Sequence, residues 1–144
     1  MIETALLCLV VGISDGDTLR VRCPGRPQAV VRLAEVDAPE KDQPFGRRSK
    51  QYLASLCFRR QAEIRPSALD RYGRTVAHVT CSGSDASVAM VRAGLAWAYG
   101  AYLTDPQIRA LEAAARRAHA GLWADAKPVP PWEWRKARRP VSSD

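Results

Sequence analysis

The pair Asp15-Gly16, set between two runs of aliphatic and β-branched residues, constrains this chain most. A two-residue Asp-Gly connection favours the type I′ turn, whose twist matches that of antiparallel strands, so Leu6 to Cys23 is expected to fold as a hairpin. With that turn Cys8 faces Cys23. A cross-strand disulfide suits the geometry and would leave Cys57 and Cys81 as the second pair; four reduced, buried thiols fit the same spacing and stay open as the alternative. No CxxC pair occurs, which argues against a zinc site.

Beyond the hairpin the pattern alternates between strand and helix. Ala29 to Val36 reads as a third strand, ended by Ala38-Pro39, because proline removes a ladder donor and biases its predecessor away from helix. Gly46 to Phe58 carries Leu53, Leu56 and Cys57 on one helical face. Two further strands, Ala62 to Pro66 and Thr75 to Cys81, flank the polar loop Asp70-Arg71-Tyr72-Gly73-Arg74. A short helix over Ala86 to Ala93 has Ser84 or Asp85 as its cap and Gly94 at its left-handed end. In the last helix Asp105 caps and Pro106 takes the first turn. Its buried stripe is Ile108, Leu111, Ala115 and Ala118, and Gly121 ends it. The order predicts an α+β fold in which five strands close a small OB-fold β-barrel with about three α-helices.

At 144 residues the chain has the length of a single domain with one core. Residues 1–125 form the expected domain and residues 126–144 a Pro/Trp-rich, basic extension. This tail fits an extended arm packed on the domain or a supplementary nucleic-acid contact; the favoured expectation is packing for Trp132 and Trp134 and solvation for the final basic residues. The apolar run Ala5 to Val11 is far too short to span a bilayer, so no membrane partner is expected.

The net charge of +7 favours polyanionic partners, because each neutralised phosphate releases condensed counterions. Against that surplus, six of the fifteen acids fall between Gly12 and Asp42: Asp15, Asp17, Glu35, Asp37, Glu40 and Asp42. Gly46 to Arg60 holds Arg47, Arg48, Lys50, Arg59 and Arg60 and no acid. Carboxylates gathered in a basic chain suit a hard cation held beside a phosphate. Arg47, Arg48 and Lys50 suit contacts to flanking phosphates, with a solvated helix face as the slightly favoured alternative.

Three segments carry the chemistry. Asp15-Gly16-Asp17-Thr18 is, alone, a common turn. Arg32 stands in an otherwise apolar strand, where a charge needs a partner or a function. On an unbroken strand Arg32 and Asp37 point to opposite faces, so they converge only where the strand bends or ends before Asp37. Asp70 to Arg74 is, alone, a polar loop.

Together these segments resemble the staphylococcal nuclease (thermonuclease-like) family, in its chain order: a DGDT turn, an arginine strand running into Val36-Asp37-Ala38-Pro39-Glu40, then Asp70-Arg71-Tyr72-Gly73-Arg74. Val91 to Ala96, followed by Tyr99 and Tyr102, is similar to the family's helix and aromatic substrate wall, and the likeness runs from about Leu6 to Ala124. The resemblance implies a calcium-dependent nuclease that hydrolyses phosphodiester bonds of DNA, RNA or both and leaves 3′-phosphate ends. It implies Asp17, Asp37 and the Ala38 backbone carbonyl as ligands of Ca²⁺, with Asp15 behind them. Glu40 would act on the attacking water, and Arg32 and Arg74 would grip the scissile phosphate. Arg71, Tyr72, Tyr99 and Tyr102 would contact the nucleotide. The loop after Glu40 is shorter here than in the staphylococcal enzyme, so access to the site is expected to differ.

A non-catalytic nucleic-acid-binding OB-fold module is the alternative from another class, and a scaffold without nucleic acid a third. Degenerate modules are expected to lack one or more of Asp17, Arg32, Asp37, Glu40 and Arg74, and none is missing here. The cysteine count and the family's habits point to the periplasm or the outside of the cell, any signal peptide already removed, and the chain is expected to be a monomer.

Overall fold

A computed structural model describes residues 5–100 and 105–138 of the chain. Five strands make the barrel: β1 (Leu6–Asp15), β2 (Thr18–Arg22), β3 (Ala29–Leu33), β5 (Gln61–Leu69) and β6 (Thr75–Cys81). They hydrogen-bond in the order β3-β2-β1-β5-β6, and a parallel pairing of β3 with β6 closes the ring in the OB manner. Two-residue strands β4 (Val36–Asp37) and β8 (Trp97–Ala98) pair with each other, and β7 (Ser84–Asp85) extends β6. The helices are α1 (Gly46–Cys57), α2 (Ala86–Arg92), α3 (Pro106–Arg117) and α4 (Pro131–Arg138), with a 3₁₀ turn over Gly121–Ala124.

Period-two burial decides which faces turn inward. Cys8 and Val10 of β1, Leu19 and Val21 of β2 and Ala77, Val79 and Cys81 of β6 are buried, and helix α1 adds Leu53 and Cys57 to the same core. Both disulfides form, Cys8–Cys23 within the hairpin and Cys57–Cys81 between the end of α1 and β6. A second, smaller core of Trp97, Ala115, Leu122 and Trp123 lies under α3, with Trp132 packed on its edge.

Several expectations need correction. The hairpin turn is centred on Gly16-Asp17, one residue later than expected, since Asp15 pairs with Thr18. Gly16 does not adopt the positive φ of a type I′ turn. Two irregularities, between Val10 and Gly12 and between Ile13 and Asp15, absorb the difference, so Val10 still faces Val21 and the cysteines still meet. What Gly16 provides is room: a Cβ there would collide with the Ser49 hydroxyl and come within 3.0 Å of the Ala38 methyl.

The third strand breaks at Ala34-Glu35 instead of running to Val36, with Glu35 in a left-handed conformation (φ 69°). Strand β5 runs on past Pro66 to Leu69 because a bulge between Pro66 and Ala68 accommodates the missing donor. Helix α3 stops at Arg117, and left-handed His119 (φ 54°) ends it before Gly121, which leaves Ala118 exposed. The tail is a helix, α4, rather than an extended arm. Trp132 packs against Trp97 and Tyr99 as expected, but Arg135 points into the acidic cluster and not into solvent.

Candidate active site

The turn between β1 and β2 and the chain leaving β4 build the centre of the site. Asp15 Oδ1 accepts the Asp17 amide at 3.1 Å, shaping the turn. Asp17 is then held on both carboxylate oxygens: Oδ1 accepts from the Thr18 hydroxyl at 2.8 Å and Oδ2 from the Ala38 amide at 2.8 Å. The Asp17 carbonyl in turn accepts the Leu33 amide at 2.8 Å, so the main chain of the turn is stitched to β3 and its side chain to the segment leaving β4.

Arg32 faces Thr18 across the β2–β3 ladder, which aims its side chain at the turn. Its Nη1 donates to the carbonyls of Val36 (2.9 Å) and Leu33 (3.2 Å). Its Nη2 donates to Asp37 Oδ1 at 3.2 Å and lies 3.6 Å from Asp17 Oδ2. One guanidinium nitrogen therefore sits between two carboxylates from separate motifs, and the partner that a charge in an apolar strand requires is supplied twice over. The break at Glu35 makes this geometry: it reverses the phase of the chain, and β4 is then set by its pairing of Asp37 with Trp97. The Glu35 carbonyl also accepts the Tyr99 amide at 2.9 Å, and its carboxylate accepts the amide of Asp105, the α3 cap, at 2.9 Å.

Burial and crowding set the charges. Burial, reinforced by the neighbouring Asp17 carboxylate, pushes Asp15 up to about 8. Burial acts on Asp17 too, but Arg32 and the hydrogen bonds from the turn and Ala38 outweigh it and hold the carboxyl below its ordinary range. Asp37 is pushed up to about 6 by burial and by Asp17, against the pull of Arg135 and Arg32. Within the pair Asp15–Asp17 the surroundings thus favour the proton on Asp15 and the charge on Asp17.

Glu40 joins the cluster through a basic residue of the tail, which the sequence places in solvent. Arg135 Nη1 donates to Glu40 Oε1 at 2.7 Å and Nη2 to Asp37 Oδ2 at 2.8 Å. The carboxylates hold the Arg135 guanidinium, already a permanent cation, still more firmly charged. The only sequence signal was its place in the run Trp132-Glu-Trp-Arg-Lys, which marks a packed aromatic segment and not a site.

The remaining candidates have partners of their own. Arg74 Nε donates to Asp70 Oδ2 at 2.6 Å, and its guanidinium stands 5.5 Å from the centre of the Tyr72 ring. Hydrogen bonds to the Asp70 carboxylate from Arg74 and from the Tyr72 amide overcome its desolvation and lower its pKa. Arg71 covers the other approach to Tyr72 at 5.4 Å, and that ring is exposed. Tyr99 is partly exposed beside Trp132, with ring centres 4.9 Å apart. Tyr102 lies outside the described residues.

The donors gathered here are all oxygen, the chemistry of a hard cation. Among the described residues no group of three or more His, Cys, Asp and Glu side chains converges closely enough to hold a metal ion by itself. A bound ion would therefore take two carboxylates, Asp17 and Asp37, and fill its shell with carbonyl and water oxygens. That a guanidinium rests on Asp37 and Glu40 shows that this pocket stabilises positive charge. The residues present fit such an ion.

Residues 30–125 match the family described as staphylococcal nuclease homologue. A Haemophilus influenzae protein named as an uncharacterized endonuclease is 42% identical over 132 residues, covering 92% of this chain and 74% of its own length. A micrococcal nuclease of Shigella flexneri is 41% identical over 141 residues, covering 90% and 80%. The staphylococcal-like nuclease CAN1 of Arabidopsis thaliana is 36% identical over 109 residues, covering 76% of this chain and 34% of its own. With its OB barrel, its motif order and a family match over two thirds of its length, this chain belongs to the staphylococcal nuclease family.

Proposed function

We propose that this protein is a calcium-dependent endonuclease that hydrolyses phosphodiester bonds of DNA, RNA or both and leaves 3′-phosphate ends. The observation that supports this reading is the single Arg32 nitrogen lying 3.2 Å from Asp37 and 3.6 Å from Asp17, a guanidinium set between two carboxylates where the reading puts phosphate and ion side by side. The similar proteins named as nucleases support the substrate class.

In this reading Asp17, Asp37 and the Ala38 carbonyl hold the ion, and Asp15 shapes the turn from behind. The ion, once bound, supplies charge neutralisation at a phosphate oxygen. Arg32, oriented by the Val36 and Leu33 carbonyls, binds a non-bridging oxygen and stabilises charge that grows in the transition state. Glu40 orients or deprotonates the attacking water. Arg74 exchanges its Asp70 partner for the phosphate, and Arg71, Tyr72, Tyr99 and Tyr102 contact the flanking nucleotide. Residues 1–125 make the nuclease domain and 126–144 its extension. The chain works as a monomer, in the oxidising periplasm or outside the cell, where two disulfides persist.

End-group analysis tests the reading. Cleaved oligonucleotide should carry 5′-hydroxyls that a kinase labels directly, and chelator should abolish cleavage. Products with 5′-phosphates would overturn the proposed bond choice. A chain that binds DNA with all metals supplied but never cuts it would favour the non-catalytic module.

A further inference from the structure

Glu40 sits outside the ladders of the barrel, in the stretch 38–45 between β4 and α1, with its side chain 31% exposed. Three polar contacts reach this stretch from one segment of the tail, one of them an exposed ion pair between Arg138 and Asp42 at 2.8 Å. Gln43 accepts the Glu40 amide on Oε1 at 3.1 Å and donates from Nε2 to the Val129 carbonyl at 2.6 Å. Arg135, one turn into α4, bridges Glu40 and Asp37 at 2.7 and 2.8 Å.

Val129 and Arg135 belong to one stiff unit. Pro128, Pro130 and Pro131 restrict its backbone, and the amides of Glu133 and Trp134 both close on the Pro130 carbonyl to start α4. Trp132 locks this unit onto the domain, its ring centre 5.6 Å from Trp97 and 4.9 Å from Tyr99. The planar fork of a guanidinium spans two carboxylates in a way that an ammonium does not.

We propose that Arg135 is a positioning residue, which fixes Glu40 against Asp37 and makes the segment 126–138 a working part of the site. The catalytic consequence rests on the nuclease reading above. A rival role is that of a tethered cation that merely occupies the carboxylates and must leave before an ion enters. The Gln43–Val129 bond speaks for positioning: it holds the Glu40 loop without touching a carboxylate, which an occupant would not need.

The test compares the full-length chain with Arg135→Gln, Arg135→Ala and Arg135→Lys. Steady-state cleavage of an oligonucleotide and amide hydrogen exchange of the metal-free protein are the readouts. In Arg135→Gln, kcat should fall about 10–100-fold, as for other partners of ligating or reacting groups, with KM within about twofold. Free guanidinium at non-denaturing concentration should restore part of the activity of Arg135→Ala. Amides of residues 38–45 should exchange faster in both variants while barrel amides stay protected. If either variant loses barrel protection, Arg135→Lys replaces it, with the same fall in kcat expected. Activity equal to or above that of the unmodified chain in Arg135→Gln, or unchanged loop protection, would overturn the proposal. Should the unmodified chain fail to cleave, the nuclease reading fails by itself, and loop exchange alone then decides whether Arg135 positions Glu40.

Discussion

Asp17 Oδ2 accepts the amide of Ala38, twenty-one residues further along the chain, at 2.8 Å. The bond joins the first hairpin turn to the segment leaving β4 and so fixes the distance between the carboxylates of Asp17 and Asp37. Asp17→Ala would strand a buried amide and remove one of the two anions around Arg32. Urea unfolding of the metal-free protein should show a loss of about 1–3 kcal/mol. A loss under about 0.5 kcal/mol, the range of an ordinary surface change, would mean that the bond does not hold the site together.

Asp15 makes the stability of the metal-free protein depend on pH in an unusual direction. Its carboxyl is raised from 3.8 to about 8, so the folded chain keeps a proton that the unfolded chain has released. The stability it contributes is complete below pH of about 4 and is lost as pH rises through about 8. Asp37, raised to about 6, adds a smaller fall of the same sign. Asp15→Asn mimics the protonated carboxyl and should flatten that decline. Melting curves of both proteins across this window check it; parallel decline in the two would contradict the assignment.

Gly16→Ala tests the close packing of the turn on α1. The added methyl meets the buried Ser49 hydroxyl, which already donates to the Leu95 carbonyl at 2.8 Å, and has the Ala38 methyl on its other side. Overpacking of this kind costs about 1–3 kcal/mol. Chemical denaturation should show that loss, whereas a neutral or stabilising result would place the turn further from α1.

Much of this architecture is legible in the sequence because its signals are local. Asp85 and Asp105 cap their helices by accepting the amides of Val88 and Gln107, and Thr75–Cys81 alternates as an inward-facing strand should. Asp17, Arg32 and Asp37 stand out through short motifs, and the structure brings their side chains together. Their meeting depends on a glutamate at positive φ, a conformation that residue type does not announce. The cysteines pair despite a misplaced turn, since two irregularities in β1 cancel one register error. Arg135 is illegible in the sequence for a different reason. It reaches Glu40 across 95 residues, and a proline-rich stretch gives no periodicity from which to place the helix behind it.

The central claim is that Asp17 and Asp37 hold an ion on which phosphodiester cleavage depends. Plasmid digestion with Ca²⁺, with chelator, and with Asp37→Asn in Ca²⁺ tests it most directly. The account predicts cleavage in the first case only, with Asp37→Asn folded by circular dichroism and at least about 100-fold slower. Undiminished cleavage in chelator, or by Asp37→Asn, would contradict it.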